Sequence, residues 1–574
     1  MITFAEQNYF LRMKTIIYQV LPRLFGNTNE RCVKNGTIRQ NGCGKLAYFT
    51  PLALKKIKEL GATHIWFTGL IEHATQTNYS RYGIQPDHPA VVKGLAGSPY
   101  AIKDYYDIDP DLAMDVTGRM REFELLLKRT HQAGLKFIMD FVPNHVARQY
   151  HSDQLPTGVQ QLGVADNTEC AFSPTNNFYY IPHTELHGHF DMLGDASLPY
   201  HEYPAKATGN DKFDAYPGKN DWYETVKLNY GIDYQGGGQR YFNPVPNTWH
   251  KMLDILLFWA DKKIDGFRCD MAEMVPVEFW QWAIPQVKAQ HPDIQFIAEV
   301  YNPGQYRDYI NRGHFDYLYD KVGLYDTLFG VIQGTKSAAE ISGCWQKVGD
   351  IQDHMLNFLE NHDELRIASR FFAADPRKAI PALVVSACMN TNPMMIYAGQ
   401  ELGEAGMDEE GFSGQDGRTT IFDYWSPDTL RRWYNEGTFD GKKLNRDEKA
   451  LLKTYTRVLN LCNSEAALRE GQFFDLTYVN LGGWRYNERC QYSFVRKADK
   501  ELIFIVVNFQ EDPVDIAVNL PTHLFEYFQI PEMESIKAQE LLTNKSEIIN
   551  FSPRHATDLM VPGYGAKLLK IELK

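Results

Sequence analysis

The stretch Lys136–His145, KFIMDFVPNH, decides the fold. Its first residues, Lys136–Val142, form an apolar run of strand length, and it ends on the polar pair Asn144-His145. Before it come an amphipathic helical stretch, Arg119–Gln132, and the helix-stopping Gly134. A helical stretch followed by a short strand makes one unit, and the unit recurs in both directions along the chain. Leu52–Leu60 and Gly61 precede the strand Thr63–Phe67, Met252–Asp261 precedes Gly266–Cys269, and Phe279–Lys288 precedes Gln295–Val300. Ile16–Leu21 opens the series, and Phe315–Tyr319, Met355–Leu359 and Pro393–Tyr397 complete it. Eight strands separated by helix-length segments predict an α/β fold with a parallel sheet closed into a (β/α)8 barrel. An open doubly wound sheet is disfavoured, because no glycine-rich phosphate loop follows the first strand.

Two stretches depart from the alternation. More than 100 residues separate Val142 from Met252, and they are dense in Gly, Pro, Asn, Tyr and His. A connection that long reads as an inserted domain after the third strand. After about residue 470 the helical pattern stops, and Phe473–Val479, Tyr492–Arg496, Leu502–Asn508, Val514–Asn519 and Ala566–Glu572 read as strands. The expected organisation is therefore a barrel over 1–145 and 241–470, an insertion over 146–240 and a C-terminal antiparallel β-sandwich over 471–574.

Composition excludes several functions. Lys plus Arg number 59 against 72 Asp plus Glu, a net charge of −13, which argues against nucleic acid as a partner. A hydrophobic content of 44% with 23% charged residues excludes a largely disordered chain. No run approaches the roughly 20 apolar residues of a membrane span. The best stretch, Ala379–Ala398, is broken at Asn390–Pro393 and reads as a buried helix, a turn and a strand. The N-terminus lacks a basic segment followed by an apolar one, which points to the cytoplasm, and the first 12 residues read as a dispensable leader. The eight cysteines show no metal-ligand spacing, and Cys32 and Cys43 are expected as free thiols.

In barrels of this kind the active site is built at the C-terminal ends of the strands. The third strand ends Asp140-Phe-Val-Pro-Asn144-His145, the fourth Arg268-Cys-Asp270, the fifth Ala298-Glu299-Val300 and the seventh Asn361-His362-Asp363. Arg268 and Asp270 are two apart, so their side chains leave the strand on the same side. A guanidinium there is expected to lower the pKa of Asp270 and keep it ionised, as a carboxylate nucleophile requires. Glu299 follows an apolar run, a setting that raises a carboxyl's pKa and suits a general acid. Each fragment alone is most simply structural. Their joint occurrence, in this order on one barrel, is what points to chemistry.

The set resembles the α-amylase family, glycoside hydrolase family 13. DFVPNH, GFRCD, AEV and NHD are similar to its first four conserved regions, and Met395–Glu401 to its eighth strand. The resemblance implies Asp270 as nucleophile, Glu299 as general acid/base and Asp363 as transition-state stabiliser, with Tyr100, His145, Arg268 and His362 lining subsite −1. It makes Asp104 structural, the insertion domain B and the β tail domain C. Val226-Lys227-Leu228-Asn229 and Glu273 resemble the neopullulanase-like pattern, although the motif's proline is replaced by Val226 and no extra N-terminal β domain is present. The implied activity is retaining hydrolysis of α-glucosidic bonds, mainly α-1,4, in starch-type glucans or maltooligosaccharides. Glucan transfer is the alternative within the family, and non-catalytic glycan binding the alternative outside it. The chemistry requires no cofactor. Many members bind Ca2+ through the Asn of the first region, which makes Asn144 the candidate ligand, although the position near the fifth region is the neutral Asn229. Asn27-Thr28-Asn29 is a second candidate oxygen cluster, or a polar turn. Trp222, Tyr223, Tyr230 and Tyr234 are candidates for outer sugar subsites.

Overall fold

A computed structural model of the chain describes residues 13–573 except 189, 191–192 and 194–198, so the expected leader lies outside the described residues. Eight parallel strands close into a barrel. They are β1 (Ile16–Val20), β2 (His64–Phe67), β3 (Lys136–Phe141), β4 (Gly266–Cys269), β5 (Gln295–Ala298), β6 (Tyr317–Tyr319), β7 (Met355–Phe358) and β8 (Met394–Tyr397). Closure falls on β1, where Ile17 lies opposite His64 on one side and Met395 on the other. The strands alternate at period two. Ile17, Trp66, Ile138, Ile297, Leu356 and Met395 fill the lumen. Their neighbours Ile16, Ile65, Phe137, Phe296 and Met394 join the core beneath the surrounding helices. Burial on both faces is why these strands read as near-continuous apolar runs.

The helices show why the alternation was readable. α1 (Pro51–Leu60) starts with Thr50 accepting from the Ala53 N–H and with proline in its first turn, and buries Ala53, Leu54, Ile57 and Leu60 on one stripe. It stops at Gly61, whose φ of +115° suits glycine, and where a Cβ would meet the Leu459 Cβ at 2.8 Å. α2 (Arg119–Gln132), α3 (Asn247–Asp261) and α4 (Val277–Gln290) precede β3, β4 and β5. The stretch 379–398 is helix, turn and strand, with Ile380–Cys388 leading into β8. Among the described residues no helix is long and apolar enough to cross a membrane.

Between β3 and α3 the chain forms short antiparallel ladders, of which His145–Ala147 with Thr225–Lys227 is the one nearest the barrel mouth. The C-terminal part is antiparallel: β9 (Gln472–Asp475), β10 (Gln491–Ala498), β11 (Glu501–Asn508), β12 (Val514–Val518), β13 (Met533–Glu540), β14 (Lys545–Phe551), β15 (Thr557–Val561) and β16 (Gly565–Glu572). Six of them form one sheet in the order β9-β10-β11-β16-β13-β14, and β12 pairs with β15. Phe504, Val506, Ile516, Val518, Leu559 and Leu569 pack between the two sheets.

Three details of the tail differ from expectation. The strand read over 473–479 ends at Asp475, whose carboxylate accepts the Thr477 N–H at 2.6 Å and turns the chain into the helix Thr477–Asn480. A helix, Thr522–Phe528, interrupts the strands and buries Leu524, Phe525 and Phe528. β13, β14 and β15 carry polar residues on an exposed face, which hid them from a search for apolar runs. All eight cysteines are free, Cys32 and Cys43 included.

Candidate active site

The site is organised around one guanidinium. Arg268 on β4 stands opposite Asp140 on β3 and Ile297 on β5, so its side chain enters the barrel mouth directly above the lumen layer. Its Nη1 lies 2.6 Å from Asp270 Oδ1 and its Nη2 lies 2.7 Å from Glu299 Oε2. Nη1 is also 3.5 Å from Asp140 Oδ1, and Nε donates to the Tyr319 hydroxyl at 3.1 Å. The rings of Trp66, Tyr100 and Tyr319 lie 5.1–5.6 Å from the guanidinium carbon. Arg268 is fully buried, which strengthens each of these contacts.

One cation faces three carboxylates, and that decides the electrostatics. Burial pushes Asp270 well above its ordinary range, with Glu299 and Asp140 adding to the shift and Arg268 opposing it. The expectation that Arg268 holds Asp270 low therefore fails: the guanidinium is shared, and desolvation outweighs it. Asp140 is raised to about 6 for the same reason. The apolar setting expected for Glu299 is also wrong. Its Oε1 accepts from the Tyr301 hydroxyl at 2.6 Å, and its Oε2 accepts from the Met271 N–H at 2.8 Å besides its ion pair with Arg268.

The seventh strand supplies the opposite wall. His362 is buried, and its Nδ1 accepts from the Gln19 amide at 2.8 Å, which leaves the ring proton on Nε2. Nε2 lies 2.5 Å from the Tyr100 hydroxyl and 3.2 Å from Asp363 Oδ2. Burial lowers the His362 pKa to about 3, so the ring is neutral and works as a hydrogen-bond donor. Asp363 is 45% exposed at the mouth, and Arg418 Nε donates to its backbone oxygen at 2.6 Å. The Tyr100 ring stacks on His362 with centroids 5.1 Å apart. His145, also neutral with a pKa lowered to about 3 by burial, packs its ring against Trp222.

Tyr100, His145, Trp222, Asp270, Glu299 and Asp363 thus line one pocket of about 400 Å3. It continues past Asp363 into a polar recess of about 300 Å3 with Glu410, Asp416 and Arg418. A larger cleft of about 800 Å3 elsewhere holds none of these groups. Asp104 lies outside the pocket, buried and accepting from the Ser152 hydroxyl and the Gln154 N–H, so it fastens residues 152–154 to the strand Ile102–Ile108. Of the four aromatic residues expected at outer subsites, Trp222 lines the pocket. Tyr223 and Tyr230 are buried in packing, and Tyr234 borders a separate cleft with Glu273. The sequence reading missed Gln19, Tyr301 and Tyr319. Gln19 is the lone polar residue in IIYQV, and Tyr301 lies two residues past Glu299; both were readable signals.

The Ca2+ expectation meets a different arrangement. Asn144 Oδ1 accepts from Lys227 Nζ at 2.5 Å, and the same ammonium lies 2.6 Å from Asp211 Oδ1. The oxygens that would bind calcium already hold a cation of the chain itself, so the residues do not fit the ion. Asn27 and Asn29 form a polar turn, in which Asn27 Nδ2 donates to the carbonyls of Asn41 and Trp425. Carboxylate oxygens of Glu72, Asp107 and Asp153 also cluster within 4.8 Å, with Arg119 Nη2 2.5 Å from Asp107 supplying positive charge.

Known proteins resemble this chain in sequence and in fold. The profile of the α-amylase catalytic domain matches residues 19–471. "Alpha-amylase 3" of Dictyoglomus thermophilum is 25% identical over 407 residues, covering 68% of this chain and 64% of that protein. "Neopullulanase 2" of Thermoactinomyces vulgaris is 20% identical, covering 88% and 71%. A Cereibacter sphaeroides α-1,4-glucan:maltose-1-phosphate maltosyltransferase is 25% identical over 50% of this chain, which spans 36% of that relative's length. Among solved structures, the α-amylase of Geobacillus thermoleovorans complexed with acarbose superposes with a TM-score of 0.62 at 20% identity, covering 98% of this chain and 99% of that one.

Proposed function

This chain belongs to the α-amylase family, and we propose that it is a retaining α-glycoside hydrolase acting on α-glucosidic, mainly α-1,4, bonds of starch-type glucans or maltooligosaccharides. The observation that carries the reading is the Arg268 fork, which holds Asp270 on one terminal nitrogen and Glu299 on the other. Two carboxyl groups bridged by one guanidinium are close together, in keeping with the pair about 5–5.5 Å apart used in double displacement rather than the wider pair of inversion. Asp270 attacks the anomeric carbon while Glu299 protonates the departing oxygen, and a covalent glycosyl-enzyme forms. Glu299 then deprotonates a water that releases the sugar with its α configuration.

The surrounding groups have matching tasks. Attack requires ionised Asp270, and Arg268 is the group that opposes the upward pull of burial. Asp363 and the Nε2–H of His362 bind sugar hydroxyls as positive charge develops on the ring, and Tyr100 stacks on its apolar face. His145 supports the same subsite from the end of the loop after β3. The acarbose-bound amylase among the structural neighbours and the amylase and neopullulanase among the relatives support a glucan as partner.

Glucan transfer is the second reading, favoured by the maltosyltransferase relatives, because the same glycosyl-enzyme serves any acceptor. The test is product analysis on maltoheptaose, starch and pullulan with anomer-resolved NMR. Short α-anomeric products support hydrolysis with retention, products longer than the substrate support transfer, and β-anomeric products overturn the retaining assignment.

A further inference from the structure

We infer that the ammonium of Lys227 is a built-in cation that does the work of a bound divalent ion at the junction of barrel and insertion, making this protein independent of calcium there. Lys227 ends a strand of the insertion, directly opposite His145, and is 2% exposed. Its Nζ reaches Asn144 Oδ1 at 2.5 Å, Asp211 Oδ1 at 2.6 Å and the backbone oxygen of Met274 at 3.4 Å. An ammonium has three protons, and here it meets three oxygens. The Tyr234 ring lies 5.6 Å away and adds a cation–π contact.

The three oxygens come from separate parts of the chain. Asn144 follows β3, Asp211 belongs to the insertion, and Met274 lies four residues past Asp270 in the loop after β4. One positive charge therefore ties together the first strand end of the site, the insertion and the loop leaving Asp270. An amide oxygen, a carboxylate and a main-chain carbonyl are also the oxygen types a hard divalent ion selects. The chain supplies the charge on a covalent stem, so it cannot dissociate or be chelated.

The contact reaches the pocket through Asn144. With Oδ1 held by Lys227, the amide must present Nδ2 to its other side, where it donates to the Gly209 oxygen at 2.8 Å and lies 3.1 Å from His145 Nδ1. That fixes the His145 ring, which lines the pocket. Lys227 is thus a positioning residue for His145, acting through Asn144, and this step alone rests on the proposed function.

The test compares thermal unfolding of the full-length protein with that of Lys227→Ala, each in EDTA, in millimolar CaCl2 and in MgCl2. The wild type should keep one Tm in all three. Lys227→Ala should lose several degrees in EDTA and regain part of the loss in CaCl2 but not in MgCl2, because the emptied oxygens suit the larger, more flexibly coordinated ion. Its kcat/KM on maltoheptaose should fall and recover in parallel. An equal calcium response in wild type and variant overturns the inference, since it would arise at another site. So does a variant with wild-type Tm and no calcium response. Should Lys227→Ala not fold, Lys227→Met keeps the buried stem and carries the same comparison. A variant that folds only when produced with CaCl2 supports the inference, and one that fails with and without it overturns it. The unfolding readout does not depend on substrate, so its failure is distinguishable from failure of the proposed activity.

Discussion

Asp140 stands directly opposite Arg268 across the β3–β4 pairing, with its Oδ1 3.5 Å from the guanidinium Nη1 that also holds Asp270. Two acids thus compete for one nitrogen. Asp140 adds to the upward shift of Asp270, behind burial and Glu299, while Arg268 opposes it. Removing the Asp140 charge favours the ionised form of Asp270 and lowers its pKa. Asp140→Asn should move the acidic limb of the kcat/KM profile to lower pH. A limb that stays or moves upward contradicts the competition.

Asp270→Asn should lower kcat by about 10^4-fold with an unchanged circular dichroism spectrum, because the amide cannot replace the carboxylate proposed to form the glycosyl ester. In Asp270→Ala, azide can enter the vacated space and attack an activated α-glucoside from the same face. The product should be the β-glucosyl azide, and an α-azide would refute the nucleophile assignment.

Glu299→Gln should lose about 10^2- to 10^4-fold on maltoheptaose, where the departing oxygen needs a proton. On an α-glucosyl fluoride, whose leaving group needs none, the glycosylation step should retain most of its rate. Equal losses on both substrates would assign Glu299 a structural role.

His64 reports on the barrel rather than the pocket. Burial lowers its pKa to about 3 from the ordinary 6.5, so the folded state resists protonation while the unfolded state accepts it. Its stabilisation is complete above 6.5 and is lost as pH falls toward 3. Relative to His64→Gln, the wild type should lose about 2 kcal/mol between pH 6.5 and 5 in urea unfolding. A pH-independent difference would mean the imidazole is protonated in place.

The barrel was legible because its strands are buried on both faces, and runs such as KFIMDFV carry that burial in plain sequence. The candidate site residues at strand ends were legible because polar groups there interrupt such runs. Their electrostatics were not. Arg-x-Asp reads as a simple pair, and nothing in the linear order tells that Asp140 and Glu299 share the same cation. The Asn144–Lys227 contact spans 83 residues of irregular chain, so only the folded insertion reveals it. β13 and β14 escaped because MESIKAQE and KSEIINF each turn a polar face to solvent.

Closure of the barrel on β1 also fixes the timing of synthesis. Ile16 pairs with Met394, so the first strand of the barrel waits for the barrel's last strand to emerge. At about 5–20 residues per second that interval lasts tens of seconds, during which one edge of IIYQV has no partner on the nascent chain. An apolar strand with a free edge is a template for pairing with another chain. Yield of the native protein should therefore depend on translation speed and on chaperones that shield this edge until Tyr397 has cleared the ribosome.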